Sequence, residues 1–356
     1  MVAVGNTDIN EFYIGEEPVR EIWNGSTLVW PEDPLLLSAI KIEIPESLRH
    51  TGYHWCTLDI FIPGNDMTYQ YSKDGTTWYD FSPQTVWFDF KFATDMYIQY
   101  EDEGIQYIYL RGFPNGTLPS SFESQRRIYL QSDSSDYRWA DTPVFDISGD
   151  IRALIDYRDV EGTPIPKYAF QGLFKDDRYV GSCFGNANRL VLPMTTVPEG
   201  CFKDMFNGVI SLKKGPESIV AESIGDHACE NMFKGCTGMT EGVKFFPATT
   251  IGQFACMNMY SGCKSLKAGY TPNDATLPTG AYVGMFYNCS SLDSIRCLAK
   301  SISGNPEEPT NQALYEWVKG VDAQGNEGTL YVDKDTTLFY EGASTVPSGW
   351  RVVNYN

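Results

Sequence analysis

Met232-Phe233-Lys234-Gly235-Cys236-Thr237-Gly238-Met239 and, 27 residues on, Met259-Tyr260-Ser261-Gly262-Cys263-Lys264-Ser265-Leu266 are two copies of one pattern. A third and a fourth sit at Met205-Phe206 and Met285-Phe286, so the successive spacings are 27, 27 and 26. Other positions keep phase with the pair. Four residues before its aromatic member stand Phe202, Cys229, Cys256 and Tyr282; three after it, Val209, Cys236, Cys263 and Cys289; six after it, Leu212, Met239, Leu266 and Leu292. Each unit approaches the next through Ile224, Ile251 or Leu277, followed four residues later by Ala228, Ala255 or Ala281. A unit of this length cannot bury its apolar side alone, so copies must stack and share a core.

Within a unit, Ala228-Cys229-Glu230-Asn231-Met232-Phe233 has helical spacing of its apolar residues and predicts a short helix closed by Gly235, as Gly262 would close the next. Leu266-Lys267-Ala268 and Leu292-Asp293-Ser294-Ile295 alternate and predict short strands. One strand and one helix per unit make an α/β solenoid of the leucine-rich-repeat kind. A degenerate leading unit begins at Tyr168-Ala169-Phe170-Gln171-Gly172-Leu173-Phe174, with an insertion running through Cys183-Phe184.

The runs Met232 to Thr240 and Met285 to Leu292, with Phe246-Pro247-Ala248-Thr249-Thr250-Ile251, resemble the BspA-like leucine-rich repeats. The resemblance covers residues 145–356, from an entry segment at Ile147-Ser148-Gly149-Asp150-Ile151 to an exit segment at Val346-Pro347-Ser348-Gly349-Trp350. Such proteins are carried by Bacteroides and by crAss-like phages. The resemblance implies an adhesion or interaction surface and brings no catalytic residue with it.

Ahead of the repeats, residues 1–33 read as a small β-module, with Phe12-Tyr13-Ile14-Gly15, Ile22-Trp23-Asn24-Gly25 and Leu28-Val29-Trp30-Pro31 as short strands broken by glycine. A module of this size must pack on a neighbour or a partner chain, and its pattern resembles N-terminal elements of phage virion proteins. Residues 34–146 read as an antiparallel β-sandwich. Ala39 to Ile44 alternates, Met67 to Ser72 leads into the hairpin signal Asp74-Gly75, and Val86 to Phe92, Tyr97 to Tyr100 and Tyr107 to Leu110 continue the series. The expected class is therefore multi-domain and mostly β: module 1–33, sandwich 34–146, and solenoid with a C-terminal cap 147–356.

The chain has 356 residues, and its 14% aromatic and 21% charged residues, with 32 Gly and 20 Pro, suit a turn-rich β protein. Its net charge of −19 repels phosphate backbones and anionic lipid, which excludes nucleic acid as an expected partner. The longest apolar run near the front, Leu35-Leu36-Leu37, is too short to span a bilayer. Met1 to Asp8 has neither a basic nor an apolar leader region, so the expected route out of the cell is aboard a particle.

Candidate chemistry is sparse. No metalloprotease, Walker, dinucleotide or nucleophile-elbow motif occurs. Of nine cysteines, seven lie between Cys201 and Cys297; an odd number and no CxxC pair argue against a disulfide framework and against zinc. Val209 in the slot of Cys236, Cys263 and Cys289 marks those thiols as small buried hydrophobes. His50 and His54 bracket a turn but lack further ligands, and His227 is set against Gln253 of the next unit as a variable surface position. Glu101-Asp102-Glu103, Asp133 to Asp136 and Asp333-Lys334-Asp335 fit no calcium loop and read as solvated turns. Among 22 Tyr and 8 Trp most belong to the core, Trp78, Trp87 and Trp350 included, while Tyr270 and Tyr287 are candidate ligand contacts.

No catalytic, cofactor or metal site is expected, and no enzyme activity. A glycan depolymerase would need a carboxylate pair, and none stands out. The expected role is a virion structural protein, as head fibre, capsid decoration or tail-associated component. Its partners are other virion proteins through the N-terminal module, further copies of itself as a dimer or trimer, and a host-surface glycan or protein. The alternative is a bacterial cell-surface adhesin.

Overall fold

The protein is described from a computed structural model. The structure describes residues 38–43, 67–80, 107–122, 144–175, 184–274, 276–302, 313–321, 327–339 and 345–355, with the backbone of further strands between Tyr13 and Asp133.

The chain is mostly β, and the one helix among the described residues is the single turn Ala153–Asp156. The helix expected in every repeat is absent, so the α/β assignment of the repeats is corrected. Every fourth residue of the segment has a positive φ: Gly200, Asp204 and Gly208, then His227, Asn231 and Gly235, then Phe254, Asn258 and Gly262, then Gly280, Gly284 and Asn288. A right-handed helix admits no such residue in its interior. The chain instead forms a ribbon of consecutive turns whose amides divide in two. Glu230, Met232, Lys234 and Cys236 donate to the carbonyl three residues back. Cys229, Asn231, Phe233 and Gly235 donate to Ala255, Met257, Met259 and Ser261 of the following unit, at 2.7 to 2.8 Å. Apolar spacing suggested a helix because the turn ribbon also sends every fourth side chain to one side.

Each unit adds short parallel strands. Thr196–Val197, Ser223–Ile224 and Thr250–Ile251 form one ladder in a 27-residue register. Ala268–Tyr270, Ser294–Cys297, Thr329–Val332 and Arg351–Asn354 form another, all parallel, the first two starting two residues later than the alternation predicted. Between Thr250–Ile251 and the pair Thr276–Leu277 with Ser301–Ile302, the buried carboxylate of Asp274 takes the place of a backbone acceptor. It receives the amides of Ile251 (3.2 Å) and Thr276 (2.9 Å).

Inside the stack the Phe–Tyr slot forms a column. Phe174, Phe206, Phe233, Tyr260 and Phe286 lie face to face with centroids 5.0, 5.6, 5.4 and 5.5 Å apart, their planes within 22° of parallel. Gly215, Gly242 and Gly269 provide the space: a Cβ on Gly269 would stand 2.6 Å from the Phe286 ring. The column ends on Trp317, which packs edge-on to Phe286, donates its indole N–H to the Thr345 carbonyl and meets the buried Phe339 ring at 5.5 Å.

At the other end Asp146–Asp150 pairs in parallel with Arg189–Val191 and antiparallel with Ile40–Glu43. The expected boundary between residues 146 and 147 falls within this strand. One six-stranded sheet thus runs, in residue order across it, 189–191, 146–150, 40–43, 107–114, 67–72 and 79–81. Asp74-Gly75 makes the expected hairpin, with Gly75 at φ 74° and the Asp74 carboxylate accepting the amides of Thr76 and Thr77. Ile40–Glu43 does not alternate in burial. Lys41 is buried, its ammonium 3.9 Å from the centre of the Tyr107 ring. Trp55–Phe61 pairs with Arg127–Asp133, and two hairpins, Tyr13–Ile14 with Glu17–Pro18 and Glu21–Asn24 with Thr27–Pro31, occupy the front module. The strands expected at Val86 to Phe92 and Tyr97 to Tyr100 lie outside the described residues.

Two glycine replacements separate the backbone from the packing requirement. Gly235 has φ 76°, and a Cβ there would make only ordinary van der Waals contact, 3.8 Å from the Gly208 Cα, so Gly235→Ala is expected to cost about 1–2 kcal/mol through its backbone alone. Gly269→Ala, which drives a methyl into the aromatic column, is expected to cost about 1–3 kcal/mol through overpacking. Urea denaturation of both variants against the parent measures the difference. A neutral Gly269→Ala would show that the column tolerates displacement.

Candidate functional site

The seven described cysteines are all free and buried, whereas Cys56 and Cys183 lie outside the residues whose side chains are described. Cys236, Cys263 and Cys289 form the column expected from the repeat, and each thiol has a partner. Their Sγ atoms donate to the carbonyls of Phe206, Phe233 and Tyr260, one unit back, at 3.1, 3.1 and 3.0 Å. Those carbonyls belong to the aromatic column, so the sulfur links the two columns. Burial pushes these thiols up, that of Cys289 to about 12, and Cys297 is likewise pushed up to about 11. A thiolate nucleophile or metal ligand requires the opposite shift.

The charged positions resolve into pairs on the outside of the stack. The Glu230 carboxylate accepts from Lys203 at 2.8 Å and meets His227 Nδ1 at 2.7 Å. His227 stands over Phe254, ring on ring at 5.2 Å, so its equivalent in the next unit is Phe254 and not Gln253. Counting from the positive-φ residue, which the turn ribbon fixes, corrects the offset by one. One unit earlier, Glu199 accepts from Lys167 at 2.8 Å and from the Tyr168 hydroxyl at 2.6 Å, which pushes that phenol up to about 12. Lys300 lies between Asp333 (3.2 Å) and Asp335 (3.6 Å), so that acidic cluster is neutralised from within the chain. No group of three or more His, Cys, Asp or Glu is placed to hold a metal ion among the described residues. The pair His50/His54 and the cluster Glu101 to Glu103 lie outside them, as do the side chains of Asp133 to Asp136. No helix there is long and apolar enough to cross a membrane.

Tyr270 and Tyr287 are both half-buried, and Tyr287 faces the Lys319 ammonium. Tyr79, Phe245 and Tyr315 are exposed elsewhere, while two more exposed aromatics, Tyr331 and Tyr355, lie at the end of the parallel ladder. There Tyr270, Arg296, Tyr331 and Val353 occupy one row across four strands. Tyr355 meets Tyr331 edge-on at 6.4 Å, and the Arg296 guanidinium lies 4.6 Å from the Tyr355 ring centre. The row escaped the repeat pattern because its later members are spaced by 35 and 22 residues, from 296 to 331 and from 331 to 353, in place of 26 or 27.

All seven described cysteines are buried, and burial pushes up the thiols of Cys201, Cys236, Cys263, Cys289 and Cys297, so the native chain at pH 9 is expected to resist iodoacetamide at all seven. They should label only after denaturation. Peptide mapping of labelled sites checks this, and rapid native labelling of Cys236, Cys263 or Cys289 would contradict the packing role. No protein-family model, curated protein or solved structure matches this chain.

Proposed function

We propose that this chain is a non-enzymatic structural protein of a bacteriophage particle, held by its N-terminal module and displaying a leucine-rich-repeat solenoid of the BspA-like kind. In this reading residues 34–146 form a β-sandwich spacer, and copies assemble as particle symmetry dictates. The observation that carries it is the contrast between the two sides of the stack. Inward slots repeat their residue types from unit to unit. The outward slots in the same register do not: Glu199, Asp226, Gln253 and Thr279 form one series, Asn207, Lys234, Ser261 and Tyr287 another. A rigid interior with an unconstrained exterior is what a display scaffold needs, since surface residues can change without touching the core. The thiols and most charged groups of the repeats are engaged in packing or ion pairs, which supports a surface that recognises by shape and local polarity.

The test is quantitative mass spectrometry of particles purified from cells producing this chain. Peptides from both halves are expected in a fixed ratio to the major capsid protein. Their absence from particles, with recovery in the cell-envelope fraction, would replace this reading with the cell-surface adhesin.

A further inference from the structure

A second inward column runs beside the aromatic one, through Phe170, Phe202, Cys229, Cys256 and Tyr282, all buried. Phe170 and Phe202 stack at 6.0 Å, so two thiols lie side by side between aromatic neighbours. The backbone fixes their register. The Cys229 amide donates to the Ala255 carbonyl at 2.7 Å, the same offset that takes the Phe206 amide to Met232 and sets Phe206 on Phe233 at 5.6 Å. Cys229 therefore stands against Cys256, at the spacing of about 4.8 Å that separates paired strands. A disulfide joins Cα atoms about 4.4–6.8 Å apart, so this backbone spacing already admits the bond.

The remaining thiols are placed differently. Cys236, Cys263 and Cys289 are also in register, but each Sγ is turned to a carbonyl one unit back. Cys201 stands in the slot of Ala228 and Ala255, and Cys297 ends the strand Ser294–Cys297. Cys229 and Cys256 meet each other instead: the neighbouring Cys229 thiol, together with burial, pushes the Cys256 thiol well up.

We propose that Cys229 and Cys256 are a latent staple, joined by a disulfide when the chain folds in oxidising surroundings and tying two successive repeat units together. The folded core closes over both sulfurs, so the bond forms during folding, while the thiols are open to solvent and the turn ribbons draw the pair into register. The oxidant is a low-molecular-weight disulfide such as glutathione disulfide. The Cys229 thiolate attacks one of its sulfurs and expels a glutathione thiolate; the Cys256 thiolate then attacks the Cys229 sulfur of the mixed disulfide and expels the second. Two protein thiols lose two electrons and two protons, the reagent becomes two thiols, and one protein S–S bond is gained. The linked residues are 27 apart in the chain, a loop long enough for the bond to restrict the unfolded state.

The full chain, unfolded in urea with dithiothreitol and freed of reductant, is refolded in a glutathione redox buffer, and in parallel with dithiothreitol retained. Tandem mass spectrometry of the oxidised product is expected to find peptides joining Cys229 to Cys256. Its unfolding constant in urea should lie about tenfold to a hundredfold below that of the reduced chain, and dithiothreitol should abolish the difference. Cys256→Ala is expected to lose both the link and the gain, whereas Cys236→Val, which copies Val209 of the first unit, keeps both. A product without the link, or with its cysteines joined at random, would overturn the proposal. So would a Cys229–Cys256 link that lowers stability, since the bond would then strain the stack.

Discussion

Half of the amides in each turn ribbon can be satisfied only by the neighbouring unit. Cys229, Asn231, Phe233 and Gly235 have no acceptor within their own turn segment and donate across the stack. Leaving such buried donors unpaired would cost about 1–3 kcal/mol each, so a single unit is not a stable object. The same constraint fixes the register. Because alternate residues donate, a slip of one residue would exchange the donors to the neighbour with those used in local turns, and would turn the aromatic and thiol columns out of the core. Backbone pairing and side-chain packing therefore select the same alignment of one unit on the next.

The positive-φ positions follow from this arrangement. A turn every four residues needs a left-handed residue at each step, and glycine supplies it at Gly200, Gly208, Gly235, Gly262, Gly280 and Gly284. Elsewhere the chain accepts Asn, Asp, His or even Phe there, at a conformational cost that neighbours offset. Tyr168 and Phe254 are two such bulky residues, and each covers a glycine of the next unit, Gly200 and Gly280. A Cβ on either glycine would lie within 2.2 Å of the covering ring. His227 over Phe254 continues this stacking on the outside of the ribbon.

The unit, its period and its buried slots were legible in the sequence, because each inward residue sees the same surroundings in successive copies. Val209 opposite three cysteines revealed the thiol column before any coordinates. The conformation of the unit was not legible. The spacing of Ala228, Cys229, Met232 and Phe233 satisfies both a helix and a turn ribbon, and only the recurrence of Asn, Asp and Gly at every fourth residue separates them. Lys41 misled for another reason: an alternating strand predicted it outward, but the Tyr107 ring gives its ammonium a buried resting place. The row from Tyr270 to Val353 stayed hidden because irregular spacing in the last units breaks the register by which the eye aligns repeats.

Those irregular units also explain why the two ends differ. A stacked ladder must stop, and every stop exposes either an apolar column or a strand edge. At the front Asp146–Asp150 pairs in parallel with Arg189–Val191 and antiparallel with Ile40–Glu43, whose sheet runs on through residues 107–114, 67–72 and 79–81. At the back the column is closed by side chains, Trp317 tied to Thr345 with Phe339 beside it. That closure covers the end of the aromatic column.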